Sequence, residues 1–376
     1  MAGWLAATRS RPVGRLLAGW TACLAVLVLA LPLGLRVATG STALRFLVEF
    51  LTEGRRPWLS ARTRPPAATP LALGPGVTAT LWRPPGRPPH PGVVLVHGLT
   101  AEGKDDPRLV WAAGLLARGG LAVLVPDLPE LRAQRLRPAD TAVVEAALAR
   151  LAADPEIDRE TLAVVGISVG VQPALAAAAD PKAARVRLAV SFGGYAEARE
   201  LVRYFTTGRY AFGGISGQAR FDPGLARAFL ALNLDLVRDP AERAAVEAGL
   251  AGLPLPPWAV PEARAMLAVV TNRDPARVDA LLATLPPETQ ALLDALSPAR
   301  YVRRLPGRLL LVHGRGDPAV PFTESLRLTA AADPARTRLI LLGDLLVHVE
   351  GRAPAVARQA WELVKLWTAA YELFRS

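Results

Sequence analysis

From about residue 76 the chain alternates short apolar runs with longer stretches of helical spacing. The runs lie at 93–96, 121–125, 162–165, 186–192, 309–312 and 339–342, and each is rich in leucine or β-branched residues and too short for a helix. Near-continuous apolarity suits strands covered on both faces, as in a parallel sheet. The stretch 77–82 alternates more and reads as an antiparallel edge strand. The helices between are signposted. Asp106 before Pro107 offers an N-cap and first-turn pair, and Gly119-Gly120 closes that helix. Asp140 can cap a helix over 141–153, and a last helix is expected from about 354 to 374. Alternating strands and helices predict a doubly wound α/β fold with a mostly parallel sheet.

The alternation stops between Gly193 and Arg300. That stretch has no strand-like run, but five short amphipathic patterns separated by prolines, at 223–238, 241–250, 262–270, 275–284 and 288–296. It reads as a helical cap over one edge of the sheet, at 196–300, rather than as an independent domain, whose own core would be thin. The α/β core then splits into 76–195 and 301–376.

Upstream of residue 76 the pattern is different again. Residues 16–35 are uncharged and mostly apolar, and at about 1.5 Å per residue they span roughly 30 Å, the thickness of a bilayer's hydrocarbon core. We read them as a transmembrane anchor behind a basic tail, 1–15. A cleaved signal peptide is the rival, although its apolar stretch is ordinarily shorter and the small-residue sites at 38–43 fit poorly. A buried helix is the third reading. Residues 43–54 place Arg45, Glu49 and Glu53 at i, i+4 and i+8 with apolar residues around them. That helix lies either in the membrane interface or against the globular body. Pro65, Pro66 and Pro70 mark a stiff linker, so 36–75 is read as interfacial helix plus linker.

Charge changes meaning once it is placed. The chain of 376 residues has a net charge of +11, which invites a nucleic-acid reading. Residues 1–64 hold nine arginines against Glu49 and Glu53, so +7 of the +11 flanks the apolar span and only +4 belongs to the remaining body. No basic patch interleaved with aromatics occurs there, and no nucleic-acid partner is expected. Positive residues nearly balance across the span, with a modest preference for an exported body. The single cysteine, Cys23, excludes an intrachain disulfide and any cysteine-based metal centre.

Three residues carry the chemistry. Ser168 sits in Gly166-Ile167-Ser168-Val169-Gly170, directly after one apolar run and before a helical stretch. Small residues at Gly166 and Gly170 permit a tight strand–helix turn that lifts the hydroxyl above the sheet. Serine needs a general base to become a nucleophile at neutral pH. His348 follows the last apolar run and is the base, because His90 lies in a proline-rich loop and His97 and His313 sit at strand ends before glycines. Asp317, just beyond the run at 309–312, is the acid that orients His348. Asp344 is its rival, only four residues before the histidine. The turn His97-Gly98-Leu99-Thr100 can aim the Leu99 N–H at an oxyanion together with that of Val169, each donor contributing about 3 kcal/mol. No metal or organic cofactor is implied.

With these elements placed, the body from Val77 onward, cap excluded, resembles the α/β-hydrolase superfamily, in particular its esterase and dienelactone-hydrolase-like members. The resemblance rests on VVLVHG at 93–98, Asp154-Pro155-Glu156-Ile157-Asp158 before the elbow strand, GISVG at 166–170 and HGRGDPAVP at 313–321. It implies the α/β-hydrolase fold and a triad in the order serine, acid, histidine. The chain departs from many relatives in carrying Val171 where a second glycine follows the elbow. Dienelactone hydrolases use a cysteine nucleophile, which the body lacks. The expectation is a membrane-tethered serine hydrolase acting on an ester, thioester or related acyl bond of a small, lipid-like substrate. A peptidase or amidase of the same fold, and a non-catalytic binding protein, are the alternatives.

Overall fold

The computed structural model describes residues 34–219, 223–237, 239–253, 261–343 and 356–375. A helix over residues 34–51, α1, leads into an antiparallel pair, β1 (Ala67–Gly74) and β2 (Val77–Arg83). Then follow β3 (His90–Val96), α2 (Pro107–Arg118), β4 (Ala122–Pro126), the short α3 (Pro129–Arg132), α4 (Asp140–Ala152), β5 (Ile157–Ile167), α5 (Val171–Ala179) and β6 (Leu188–Phe192). The insertion holds α6 (Ala198–Thr207), β7 (Arg209–Phe212), β8 (Ile215–Gln218), α7 (Pro223–Leu232), α8 (Pro240–Leu250), α9 (Pro261–Thr271), α10 (Val278–Ala283) and α11 (Pro287–Ala295). The chain returns to the sheet with β9 (Arg308–Gly314), α12 (Thr323–Ala331), β10 (Thr337–Leu342) and α13 (Val356–Phe374).

Eight strands form one sheet in the order β1-β2-β4-β3-β5-β6-β9-β10. Only β2 runs against the others. Five of the six apolar runs became central strands because both faces are covered: all five residues of β4 and the last five of β3 are buried. The sixth, 339–342, became the edge strand β10. One face packs against α4, α5 and α12 through Val144, Leu148, Leu175 and Leu328. The other packs against α1, α2 and α13 through Leu47, Leu109, Leu116 and Leu366. Asp106 caps α2 as its sequence predicts, accepting the Arg108 N–H at 2.9 Å, and Gly119 ends that helix.

Several expectations change. The stretch at 77–82 is antiparallel but interior, because residues 67–74, read as linker, form β1 on its outer side. Pro70 is tolerated there because an edge strand pairs on one side only, so its missing N–H leaves no gap in the ladder. Of the two readings of residues 43–54, packing against the globular body is the one the structure shows. Ala43 and Leu47 of α1 are buried against it, Phe46 meets Phe374 edge-on at 5.4 Å, and Phe50 stacks on Trp111 at 5.3 Å. Glu49, one of the three charges spaced four apart, is buried and accepts the N–H groups of Leu59 and Ser60 at 2.8 and 2.9 Å. Asp140 does not cap α4. It lies inside that helix's first turn, and its carboxylate takes the N–H groups of Glu130 and Leu131 in α3. The expected anchor at 16–35 lies outside the described residues except for its last two, and among the described residues no helix is long and apolar enough to cross a membrane.

The cap at 196–300 is mostly helical, as expected, but it also contains the β7–β8 hairpin, turned by Gly213 and Gly214 at φ +57° and +80°. Its core is not thin. Leu230, Val237, Val246, Met266, Val278 and Leu282 form a buried cluster of their own. Entry and exit of the cap are stitched together: the Tyr195 hydroxyl donates to Leu296 O at 2.7 Å, Ala198 N–H to Ser297 Oγ at 3.0 Å, and Ala299 N–H to Ala196 O at 3.1 Å.

Glu324, in the first turn of α12, pins this root to the core. Its Oε2 accepts the N–H groups of Ala196 and Glu197, both at 3.0 Å, while Arg327 donates to Oε1 at 3.1 Å. Burial pushes its carboxyl up to about 7, with Glu200 adding to the rise and the two N–H groups and Arg327 opposing it. The native state therefore holds a proton that the unfolded chain releases nearer 4.5. Stability from this group is full below that ordinary value and is lost as pH rises through about 7. The difference in unfolding free energy between wild type and Glu324→Gln, measured by urea titration, should shift against the wild type across this window and level off above it. A difference that stays constant from about pH 5 to about pH 8 overturns this account.

Candidate active site

The fifth strand ends at Ile167, and the chain turns at once into a single helical turn, 168–170, that feeds α5. Ser168 at the corner has φ +52°, a left-handed conformation that costs a non-glycine residue of order 1–3 kcal/mol and persists only where the surroundings enforce it. The two flanking glycines show what enforces it. A Cβ on Gly166 would lie 2.6 Å from Val171 Cα, so β5 and α5 approach too closely for any side chain. A Cβ on Gly170 would lie 2.1 Å from the carbonyl oxygen of His97. The turn after β3 is thus pressed onto the turn after β5.

Gly98 completes that contact, since a Cβ there would meet Ile167 O at 3.2 Å and Ser168 Cβ at 3.3 Å. Leu99 follows directly, with its side chain in solvent, and among the described residues its N–H has no hydrogen-bond acceptor. Val169 follows Ser168 within the helical turn, its side chain buried. The structure therefore brings the two turns that carry the expected oxyanion donors, Leu99 and Val169, against Ser168.

His97 holds the first turn in place. Its Nε2 accepts the Leu128 N–H at 3.1 Å, so the proton sits on Nδ1, which donates to Gly98 O at 2.7 Å. Burial lowers its pKa, keeping the ring neutral for both bonds. His313 is equally committed. It is fully buried, its Nε2–H donates to Val320 O at 2.9 Å, and its Nδ1 accepts from Ser325 Oγ at 2.7 Å. Burial lowers its pKa as well. His90 opens β3 at the opposite edge of the sheet from Ser168. None of the three is free at the elbow.

Asp317 stands three residues beyond β9, on the same edge as Ser168. Its Oδ1 accepts the N–H groups of Ala319 and Val320 at 2.8 and 3.1 Å, which fixes the carboxylate. Its Oδ2 lies 3.6 Å from His313 Nε2 and 3.2 Å from where a Cβ on Gly193 would sit. Gly193, with φ +61°, thus clears space for the acid between the ends of β6 and β9. His348 and the rival acid Asp344 lie outside the described residues, in the connection between β10 and α13.

Sequence reasoning named Gly98 only as part of its turn and missed Gly193; the two make room for Ser168 and Asp317. The pair Gly193-Gly194 right after an apolar run was the available signal. It also missed a cavity of about 250 Å³ between the cap root and the acid loop, lined by Tyr204, Tyr210, Arg315, Asp317 and Phe322. The Tyr204 hydroxyl donates to Pro318 O at 2.8 Å, and the Arg315 guanidinium stacks over Phe322. Burial pushes the Tyr204 hydroxyl up to about 12, so it stays protonated as that donor. Among the described residues no three histidine, cysteine or acidic side chains converge as metal ligands.

No protein-family model matches the chain, and no curated protein does. Among solved structures it is similar to the α/β hydrolase GrgF from Penicillium sp. sh18, at 17% identity and a TM-score of 0.48 over 82% of this chain and 100% of that one. It is similar to a puromycin-hydrolysing peptidase of Mycobacterium tuberculosis at 18% identity and a TM-score of 0.49, over 82% and 38% of the two chains. A dienelactone hydrolase from Anabaena variabilis aligns at 17% identity and a TM-score of 0.40, over 82% and 97%. The fold is assigned on the strand order itself. An eight-stranded sheet arranged in this way, with only its second strand reversed and an elbow after its fifth, is the α/β-hydrolase fold, and that is the fold of this chain.

Proposed function

We propose that this chain is a membrane-tethered serine hydrolase that cleaves an ester, thioester or related acyl bond. The observation that carries the reading is the strained Ser168, held at φ +52° by glycines on both sides and faced by the Leu99 turn. Strain of this kind is retained where a hydroxyl must be presented.

Ser168 Oγ attacks the acyl carbon while His348 takes its proton. The oxyanion is held by the N–H groups of Leu99 and Val169. The carbon–oxygen or carbon–sulfur bond then breaks, and the leaving alcohol or thiol departs with the proton from His348. Water, deprotonated by His348, attacks the acyl-Ser168 carbonyl, the bond from the acyl carbon to Ser168 Oγ breaks, and Oγ takes the proton back from His348 as the acid is released. Asp317 keeps the imidazole in the tautomer that can accept from serine and stabilises its charged form. No metal or organic cofactor enters. The apolar stretch at 16–35 provides the tether, with the body on the exported side, and a tether beside a large cap suits a lipid-like acyl chain.

A fluorophosphonate probe should label the wild type and leave Ser168→Ala unlabelled. Asp317→Asn should label far more slowly, the tautomer argument implying a loss of up to about 10⁴. A wild type that fails to label returns the chain to the non-catalytic binding class. On p-nitrophenyl esters, kcat/KM should rise from acetate to medium-chain acyl groups. A profile with no preference beyond acetate removes the lipid-like substrate, and faster turnover of matched anilides would move the chain to the amidases.

A further inference from the structure

Large apolar side chains stand in solvent at one end of the molecule. Leu35 and Val37 of α1 are 61% and 64% exposed, and Trp361 of α13 is 61% exposed, with Leu363 and Val364 beside it. These come together because α1 and α13 pack side by side in the same direction. The Trp367 indole donates to Gly40 O at 2.9 Å, and Phe46 meets Phe374 six residues further along one helix and seven along the other. Gly40 admits this approach, as a Cβ there would lie 3.0 Å from the Trp367 ring. The first turns of the two helices therefore emerge as neighbours.

That end has a defined place relative to the site. The Glu362 carboxylate accepts the N–H of Gly343, just past the end of β10, while Glu372 pairs with Arg308 at the start of β9. α13 thus runs against the parallel strands, and its first turns stand at the edge that carries Ser168 and Asp317.

We propose that the paired first turns of α1 and α13 seat on a lipid bilayer, which turns the catalytic edge toward the membrane surface. The occupant follows from the chain itself. The uncharged stretch 16–35 ends inside the patch, at Leu35, and the 33 residues outside the described structure enter α1 at this point. A segment long enough to span a bilayer, joined directly to an exposed apolar end, places lipid there, and the next residue, Arg36, is exposed where anionic headgroups lie. The inference rests on the tether of the proposed function and adds a second contact, from the opposite terminus of the chain.

Cys23 is the only cysteine, so the full-length chain with Cys23→Ser accepts single labels. Bimane is placed at Val37→Cys or Val364→Cys, and at Arg159→Cys near the start of β5 as the reference. Each chain is reconstituted into phosphatidylcholine–phosphatidylglycerol vesicles, with and without spin-labelled lipid. Quenching by the labelled lipid at 37 and 364 should exceed that at 159 by about threefold or more, as expected for side chains within the headgroup and acyl boundary. A chain that does not float with the vesicles overturns the tether and this proposal with it. A chain that floats while 364 is quenched no more than 159 overturns the docking alone. Energy transfer between copies labelled at 364, without lipid quenching, shows a second copy on the patch and likewise overturns it.

Discussion

The structure turns on a close approach between two backbones. The carbonyl of His97, at the end of β3, lies so near Gly170 that no Cβ fits between them. From this contact the remaining geometry follows. It forces the chain to reverse within the few residues after β5, it holds Ser168 in a left-handed conformation, and it sets the Leu99 turn beside the serine. His97 is then needed in its neutral form to keep its own turn rigid. The buried histidine beside Ser168 is thereby committed to the backbone, which is why the proposed mechanism gives the proton transfer to His348.

The same logic of committed groups applies to the acid. Both oxygens of Asp317 have assigned surroundings: one is tied to two N–H groups, and the other faces the gap that Gly193 keeps open. His313 supports the acid's loop through Val320, not through proton exchange. In the proposed mechanism the second oxygen, 3.6 Å from His313 Nε2, is the one left for His348.

How much of this was legible in the sequence depended on how local the cause was. The central strands were readable because burial on both faces writes a continuous apolar run, as in 93–96 and 121–125. The turn at Ser168 was readable because two of the glycines it needs, Gly166 and Gly170, lie within two residues of it. β1 was not, because its pairing with β2 is a tertiary event and Pro66 and Pro70 have the same appearance in a linker and in an edge strand. The burial of Glu49 was not legible, since nothing nearby announces that the backbone at Leu59 and Ser60 returns to it. Asp140 carried a correct signal with the wrong target: its carboxylate does bind helix N–H groups, but those of α3. The role of Gly98 depends on Ile167 and Ser168, about 70 residues away, and no local pattern encodes it.

The stitching at the base of the cap has a consequence for how the protein can change over time. Tyr195, Ala196 and Ala198 on the way in are bonded to Leu296, Ser297 and Ala299 on the way out. To the sheet, therefore, the whole excursion between β6 and β9 is equivalent to a tight turn whose ends already meet. The cost of closing such a loop grows only with the logarithm of its length, so helices can be lengthened, lost or exchanged within it without disturbing strand registry. With a hydrophobic cluster of its own, the cap is a module that can change while the turn at Ser168 and the loop of Asp317 stay fixed.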